Sequence, residues 1–252
     1  MLKVRVMPCL LLKGWGLVKT VRFDNPSYVG DPINTVRIYN EKEVDELIFL
    51  DITATPRGAK PPFEIISEIA SECFMPFTYG GGVNNIEDAK TIFSLGAEKV
   101  ALNTFAHANP GFIRQLADRF GSQSIVVSID VRKTLLGKYH VCTHGGKKDL
   151  KIDPVSAAQA MEQAGCGEIL LTSIDRDGTW AGYDTELTRR VSSAVSVPVI
   201  ACGGAGCVDD FVKAVKLGGA SAVAAGSMVV YQGKGRGVLI NFPSKADLKS
   251  VE

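Results

Sequence analysis

Asp130 is the only acidic residue of the run SIVVSID (124–130) and stands at its end. A carboxylate at the tip of an apolar strand, with a pKa open to tuning by its walls, can move protons for a bound ligand. The plainer role for such a residue is to cap the loop that follows. Asp51, Asp177 and Lys19 hold comparable places after other apolar runs. They suit substrate positioning, although strand-end aspartates often only satisfy loop amides. Glycine clusters form the second group of candidates: Gly80-Gly81-Gly82 and Gly203-Gly204 each follow an apolar run, and Asn103-Thr104 and Gly226-Ser227 follow two more. A backbone without Cβ lets a ligand come close, and the N–H groups of a following helical turn can hold phosphate oxygens. The candidate phosphate contacts are therefore Gly81, Gly82, Asn103 and Thr104 on one side and Gly203, Gly204, Gly226 and Ser227 on the other. The competing reading, that these glycines only make tight turns, is weakened by their paired placement. A substrate with a phosphate at each end fits this layout.

The elements that must carry these residues are short apolar runs alternating with stretches of helical spacing, the pattern of βα units around a parallel sheet. Strands are expected at 5–11, 46–52, 76–80, 99–103, 124–130, 168–174, 197–202 and 222–226. Between them lie amphipathic segments at 62–74, 85–96, 110–121, 154–165 and 208–219, several of which stop at a glycine (Gly96, Gly121, Gly165, Gly218) suited to a left-handed C-cap. Internal repetition sharpens the fold. YGGGVNNIEDAK resembles ACGGAGCVDDFVKA, LNT recurs as AGS, and DITAT resembles DRDGT, all at offsets of 122 to 124 residues. Two half-barrels of four βα units each would produce that offset. The expected fold is an α/β (β/α)8 TIM barrel of two half-barrel repeats, with its active site at the C-terminal ends of the strands. A doubly wound open sheet is the alternative. Arg5, Glu46, Lys99 and Glu168 each start a strand, so two positive and two negative charges should meet as a salt-bridged ring at the opposite end of the barrel.

A length of 252 residues with 46% apolar composition suits one domain spanning 1–252, with an atypical C-terminal tail from about 230. Lys+Arg of 28 against Asp+Glu of 27 leaves no basic surplus for a nucleic-acid backbone. The six cysteines show no C-x-x-C pair and fit reduced thiols in a cytoplasmic protein. Neither a leader nor a membrane span is indicated. His107, His140 and His144 lack ligand spacing, so no metal and no cofactor is expected.

LLTSIDRDGTWAGYD (170–184), with FLDITAT (49–55), PFTYGGGV (76–83), EKVALNT (98–104), GSQSIVVSID (121–130) and ACGGAG (201–206), resembles the cyclase subunit of imidazole glycerol phosphate synthase across roughly residues 1 to 230. Members of that family take ammonia made by a separate glutaminase subunit, pass it up through the barrel, and use it to cleave and cyclise a doubly phosphorylated ribulose-type substrate. The resemblance implies that Gly82, Asn103 and Thr104 contact one phosphate and Gly203, Gly204 and Gly226 the other, and that Asp130 is catalytic. It further implies that the ring of Arg5, Glu46, Lys99 and Glu168 gates ammonia entering from a glutaminase docked on the N-terminal face.

The resemblance breaks at the first strand. That family reads Cys-Leu-Asp-Val-Lys there, its aspartate serving as the second catalytic acid/base group, whereas this chain reads Cys9-Leu10-Leu11-Leu12-Lys13. Leucine cannot transfer a proton, and general acid–base catalysis contributes roughly 10²–10⁴ in rate, so activity on the histidine intermediate should be impaired. Gly14-Trp15-Gly16 replaces a polar turn and puts an aromatic near the mouth, where it could stack on a ligand or simply pack. Cys202 stands where a serine is usual. The tail lacks a convincing amphipathic helix and carries a strand-like VLINF run. Leu11 and the GKGRGVLINFP tail resemble a paralogous branch that works with a glutaminase-like subunit and a sugar amidotransferase, converting an acetamido group of a surface-polysaccharide sugar into an acetamidino group.

The function expected is thus a synthase-type lyase subunit of a glutamine amidotransferase complex that supplies ammonia to a phosphorylated or nucleotide-linked small molecule. The alternatives are a true histidine-pathway cyclase and a non-catalytic scaffold that docks and activates the glutaminase while conducting ammonia. A sugar-phosphate isomerase ranks last, since it too would want two mouth carboxylates.

Overall fold

The structure, a computed structural model, describes residues 4–251; residues 1–3 and 252 of the expected span lie outside it. Eight parallel strands close on themselves: β1 (Arg5–Lys13), β2 (Leu47–Asp51), β3 (Phe77–Gly80), β4 (Lys99–Leu102), β5 (Ile125–Lys133), β6 (Glu168–Ser173), β7 (Val199–Cys202) and β8 (Ala222–Ala225). Each pairs with its successor, and β8 returns to β1 with Arg5 opposite Ala222 and Pro8 opposite Ala225. The (β/α)8 barrel expected from the repeat is therefore present, and the open sheet is not. Among the described residues, seven helices of eight or more residues fill the β-to-β connections: Pro32–Glu41, Phe63–Glu72, Ile86–Ser94, Pro110–Phe120, Pro154–Ala164, Thr185–Ser192 and Val208–Lys216. None is long and apolar enough to cross a membrane.

Local chemistry explains where several helices begin. Asp31-Pro32 and Asp153-Pro154 supply an N-cap carboxylate followed by a proline whose missing N–H costs the helix nothing there. Asp31 accepts from Asn34 N at 2.8 Å, and Asp153 accepts from Val155 N at 3.0 Å. Gly165 is the left-handed cap its position suggested (φ 102°, ψ 21°). At the end of Val208–Lys216 the positive φ falls on Gly219 (67°) and not on Gly218, because Leu217 and Gly218 still donate back to Lys213 O.

Alternation along the strands divides the interior into two layers. Outward residues such as Leu10, Phe49, Tyr79, Val127 and Ile169 pack under the helices, while Met7, Ile48, Val126, Leu170 and Ile200 fill the barrel itself. The barrel is thus plugged at mid-height by aliphatic side chains, with polar groups above and below, and its two ends present different chemistry.

Two additions were not expected. After β1 the chain folds back as an antiparallel hairpin of Gly16–Val21 and Asp24–Gly30, with Lys13 opposite Gly16 and Val18 opposite Tyr28. After β5, Tyr139–Thr143 runs antiparallel to it, placing Cys142 opposite Asp130. The VLINF run forms no strand beyond a single bridge, Val238 to Tyr231; two four-residue helices, Ser227–Val230 and Lys245–Leu248, stand where an eighth helix would be.

Candidate active site

The half-barrel repeat reappears at the C-terminal ends of the strands as repeated backbone geometry. Gly81 and Gly82 have φ of 125° and 74°, and Gly203 and Gly204 have φ of 91° and 112°, a region that side chains rarely adopt. A Cβ on Gly81 would stand 2.6 Å from Asp51 O at the end of β2, and one on Gly203 would stand 2.7 Å from Ser173 O at the end of β6. Asn103 (φ −120°, ψ −83°) and Gly226 (φ −105°, ψ −83°) likewise share one conformation ahead of short helices. These glycines are thus required by the crowded strand-to-loop turns, whatever else they do.

Both glycine turns open onto one cavity of about 500 Å³ at the mouth. The candidate catalytic, positioning and phosphate residues all line it: Asp130, Lys19, Asp51, Asp177, Gly81, Gly82, Asn103, Thr104, Gly203, Gly204, Gly226 and Ser227. Leu11 lies in the same wall, paired to Leu50 of β2, and no carboxylate projects from β1. Trp15 does not line the cavity. It sits at the exposed tip of the hairpin where β1 pairs with Gly16–Val21, 60% accessible, so it neither reaches the cavity to stack on a ligand nor packs against the barrel, the two roles open to it in the sequence.

Asp130 is 8% accessible and points into the barrel top. Asn103 Nδ2 donates to its Oδ2 at 3.2 Å and Ser128 Oγ to its Oδ1 at 3.2 Å. Burial pushes its carboxyl up to about 7, and the hydrogen bonds from Ser128 and Thr172 only partly offset this. A carboxyl poised there exchanges a proton near neutral pH. Ser128 and Thr172 were missed in the sequence. Ser128 carried one legible signal: it stands two residues before Asp130 and so shares its face of the strand.

The other charged residues of the mouth are held internally. Lys19 lies inside the hairpin rather than on a loop, its Nζ donating to both oxygens of Asp177 at 2.8 and 3.0 Å and to Thr20 O at 2.8 Å. Asp177 lies in the turn past β6, not at its tip, and Thr20 Oγ1 also donates to it. Asp51 Oδ1 accepts from Thr53 N, Thr53 Oγ1 and Ala54 N at 2.7, 2.7 and 3.2 Å, which is a loop cap. Beneath them, Cys9 and Cys202 face each other's strands; hydrogen bonding to Cys202, and then burial, raise the Cys9 thiol well above its ordinary pKa, so it is a neutral wall.

At the opposite end the four charged residues form a closed circuit. Arg5 donates to Glu46 Oε2 at 2.8 Å and to Glu168 Oε1 at 2.6 Å; Lys99 donates to Glu46 at 3.0 and 3.1 Å and to Glu168 Oε2 at 3.1 Å. Thr78 Oγ1 adds a bond to Glu46 at 3.0 Å. On its outer side, Lys99 and Glu168 border a depression with Gln123 and Pro198. No group of three or more metal-ligating side chains occurs among the described residues.

A closed parallel barrel with a charged circuit at one end and a glycine-turned cavity around a buried carboxyl at the other defines a (β/α)8 protein of the half-barrel-repeat class. Comparison with known sequences narrows this. Residues 5–236 match the family described as "Histidine biosynthesis protein". The chain is 55% identical over 243 residues to a Pseudomonas aeruginosa protein provisionally named imidazole glycerol phosphate synthase subunit hisF2, covering 96% of this chain and 97% of that one. It is 47% identical over 252 residues to the similarly named hisF3 of Vibrio vulnificus and 45% identical over 252 residues to a HisF of Leptospira interrogans, covering 100% of this chain and 97% and 99% of theirs. The chain belongs to the histidine biosynthesis protein family, among its HisF-like cyclase subunits.

Proposed function

We propose that this chain is the ammonia-using synthase subunit of a glutamine amidotransferase complex, with Asp130 its one proton-handling carboxylate and the two glycine turns its phosphate sites. The single observation that carries the reading is Asp130, buried at the barrel top and held by Asn103 and Ser128, in a cavity whose opposite wall offers Leu11. The Arg5–Glu46–Lys99–Glu168 circuit supports an ammonia gate, because it closes the barrel end farthest from the cavity with four mutually paired side chains. The relatives are named as subunits, which supports a partner; a glutaminase docked on the N-terminal face is the partner we assign. Lys19, Asp51 and Asp177 shape the mouth and position substrate.

Leu11 and the irregular tail favour acetamidino modification of a polysaccharide sugar, with a sugar amidotransferase as further partner, over histidine biosynthesis. A second reading draws on the same Leu11: the barrel docks and activates the glutaminase and conducts ammonia without doing chemistry. Asp130→Asn, assayed in the complete complex, separates the two. Chemistry at this mouth requires product to fall at least about 10²-fold while glutaminase turnover persists. Undiminished product would favour the scaffold, and turnover of the ribulose-type histidine intermediate at the family's ordinary level would overturn the sugar assignment.

A further inference from the structure

The charges around the mouth are distributed unevenly. Lys19 is neutralised by Asp177, and Asp51 is occupied by loop donors. Lys13, Arg57 and Lys147 also line the cavity, are exposed, and have no ion pair or side-chain hydrogen bond among the described residues. Lys13 and Arg57 stand beside the Gly81–Gly82 end, and Lys147 approaches from across the mouth, following Gly146, where a Cβ would stand 3.2 Å from Phe23 and 3.3 Å from Ile174. Ile52 N donates to Leu12 O at 3.1 Å, fastening the loop of Arg57 beside Lys13. Gly82 N donates to Thr55 Oγ1 at 3.4 Å, fastening the same loop to the glycine turn. From the other side His144 N donates to Thr104 Oγ1 at 3.0 Å, bringing the loop of Lys147 onto Asn103–Thr104. Among the described residues the Gly203–Gly204 end offers no unpaired cation in the cavity lining: Lys19 is paired there, and Arg176 donates to Ala181 O outside the lining.

Three exposed cations without carboxylate partners, on three separately anchored loops, raise the positive potential of the mouth and favour an anion between them. A monophosphate seated on the glycine turn would need only backbone N–H groups, that of Gly82 exchanging its long 3.4 Å bond to Thr55 Oγ1. Cations approaching from opposite sides suit a longer anion with two phosphoryl groups, one of them gripped by the guanidinium fork. We propose that the Gly81–Gly82 end takes a diphosphate, such as that of a nucleoside-diphosphate-linked substrate, with Arg57 and Lys147 as its specificity-determining clamp. This rests on the reading of the glycine turns as phosphate sites.

Titration calorimetry of the full chain with inorganic pyrophosphate and with orthophosphate, at low and physiological salt, tests both layers separately. Pyrophosphate should bind at least about tenfold more tightly, and Arg57→Ala with Lys147→Ala should remove that preference while orthophosphate binding persists. Lys216→Ala, on an exposed lysine at the far end of its helix, should leave the preference intact. Arg57→Lys should retain part of it, since charge remains and the fork is lost. Equal binding of the two anions, or a preference that survives the double variant, overturns the diphosphate clamp and leaves the phosphate sites standing. Failure of both anions to bind overturns the phosphate sites themselves.

Discussion

At Asp130 two effects oppose each other: burial raises the pKa by destabilising the charged form, and donors from Ser128 and Thr172 lower it by stabilising that form. Burial prevails, so the folded-state value, about 7, lies above the unfolded value near 3.8. Below both values the carboxyl is protonated in both states and has no effect on stability. As pH rises from about 4 to 7 the unfolded chain releases its proton while the folded chain resists, so stability falls, by at most about 4 kcal/mol at about 1.4 per pH unit. Asp130→Asn removes this penalty. The variant's stability relative to the parent should therefore improve between pH 4.5 and pH 8 in urea denaturation; a difference that stays constant with pH would show that the carboxyl is not held neutral. Asp130 was legible as the lone acid of an apolar run. Its hydroxyl partners were not, because a serine or threonine in a strand looks the same whether it faces a carboxyl or a helix.

The eight barrel strands were legible because parallel strands buried on both faces read as continuous apolar runs. The hairpin after β1 was not: DNPSYVG is exposed at its first five positions, contains Pro26, and forms an edge that needs no hydrophobic face. Glycine turns were visible as repeats, yet only geometry separates those that must be glycine from those that need not be. At Gly204 a Cβ would stand 2.2 Å from Gly182 O with φ at 112°, so both backbone strain and a clash against main chain oppose any side chain. At Gly14, with φ 60°, a Cβ meets nothing within 4 Å. Gly14→Ala should thus cost about 1 kcal/mol, the strain alone, while Gly204→Ala should cost at least about 3 kcal/mol and distort the turn. Equal denaturation midpoints for the two variants would refute the crowding argument.

On the scale of the whole molecule, the near-constant offset of the repeats foretold the two-fold likeness of the mouth, and strand-initial charges foretold the circuit below. Where the chain departs from the repeat, the sequence was a poorer guide. VLINF has strand-like composition but no partner strand, since β8 is already paired on both sides, and it lies instead as a strap over the outer layer. The strap has specific attachments. Phe242 packs edge-on against Tyr39 with ring centroids 6.5 Å apart, Tyr39 Oη donates to Val229 O at 2.9 Å, and Asn241 N donates to the same carbonyl at 3.0 Å. Val251 is 1% accessible at the far end. Segments of the tail thus cover the outside of the barrel at the fully buried Tyr39, a task an eighth helix would otherwise perform. Phe242 is only partly buried, so Phe242→Ala should cost about 2 kcal/mol, less than for a fully buried ring. In a chain of this size that lowers the melting temperature by roughly 4–8 °C. Because the strap lies on the outer side of β8, pyrophosphate affinity at the mouth should not change. A weakened affinity with an unshifted melting temperature would instead make the tail part of the binding site.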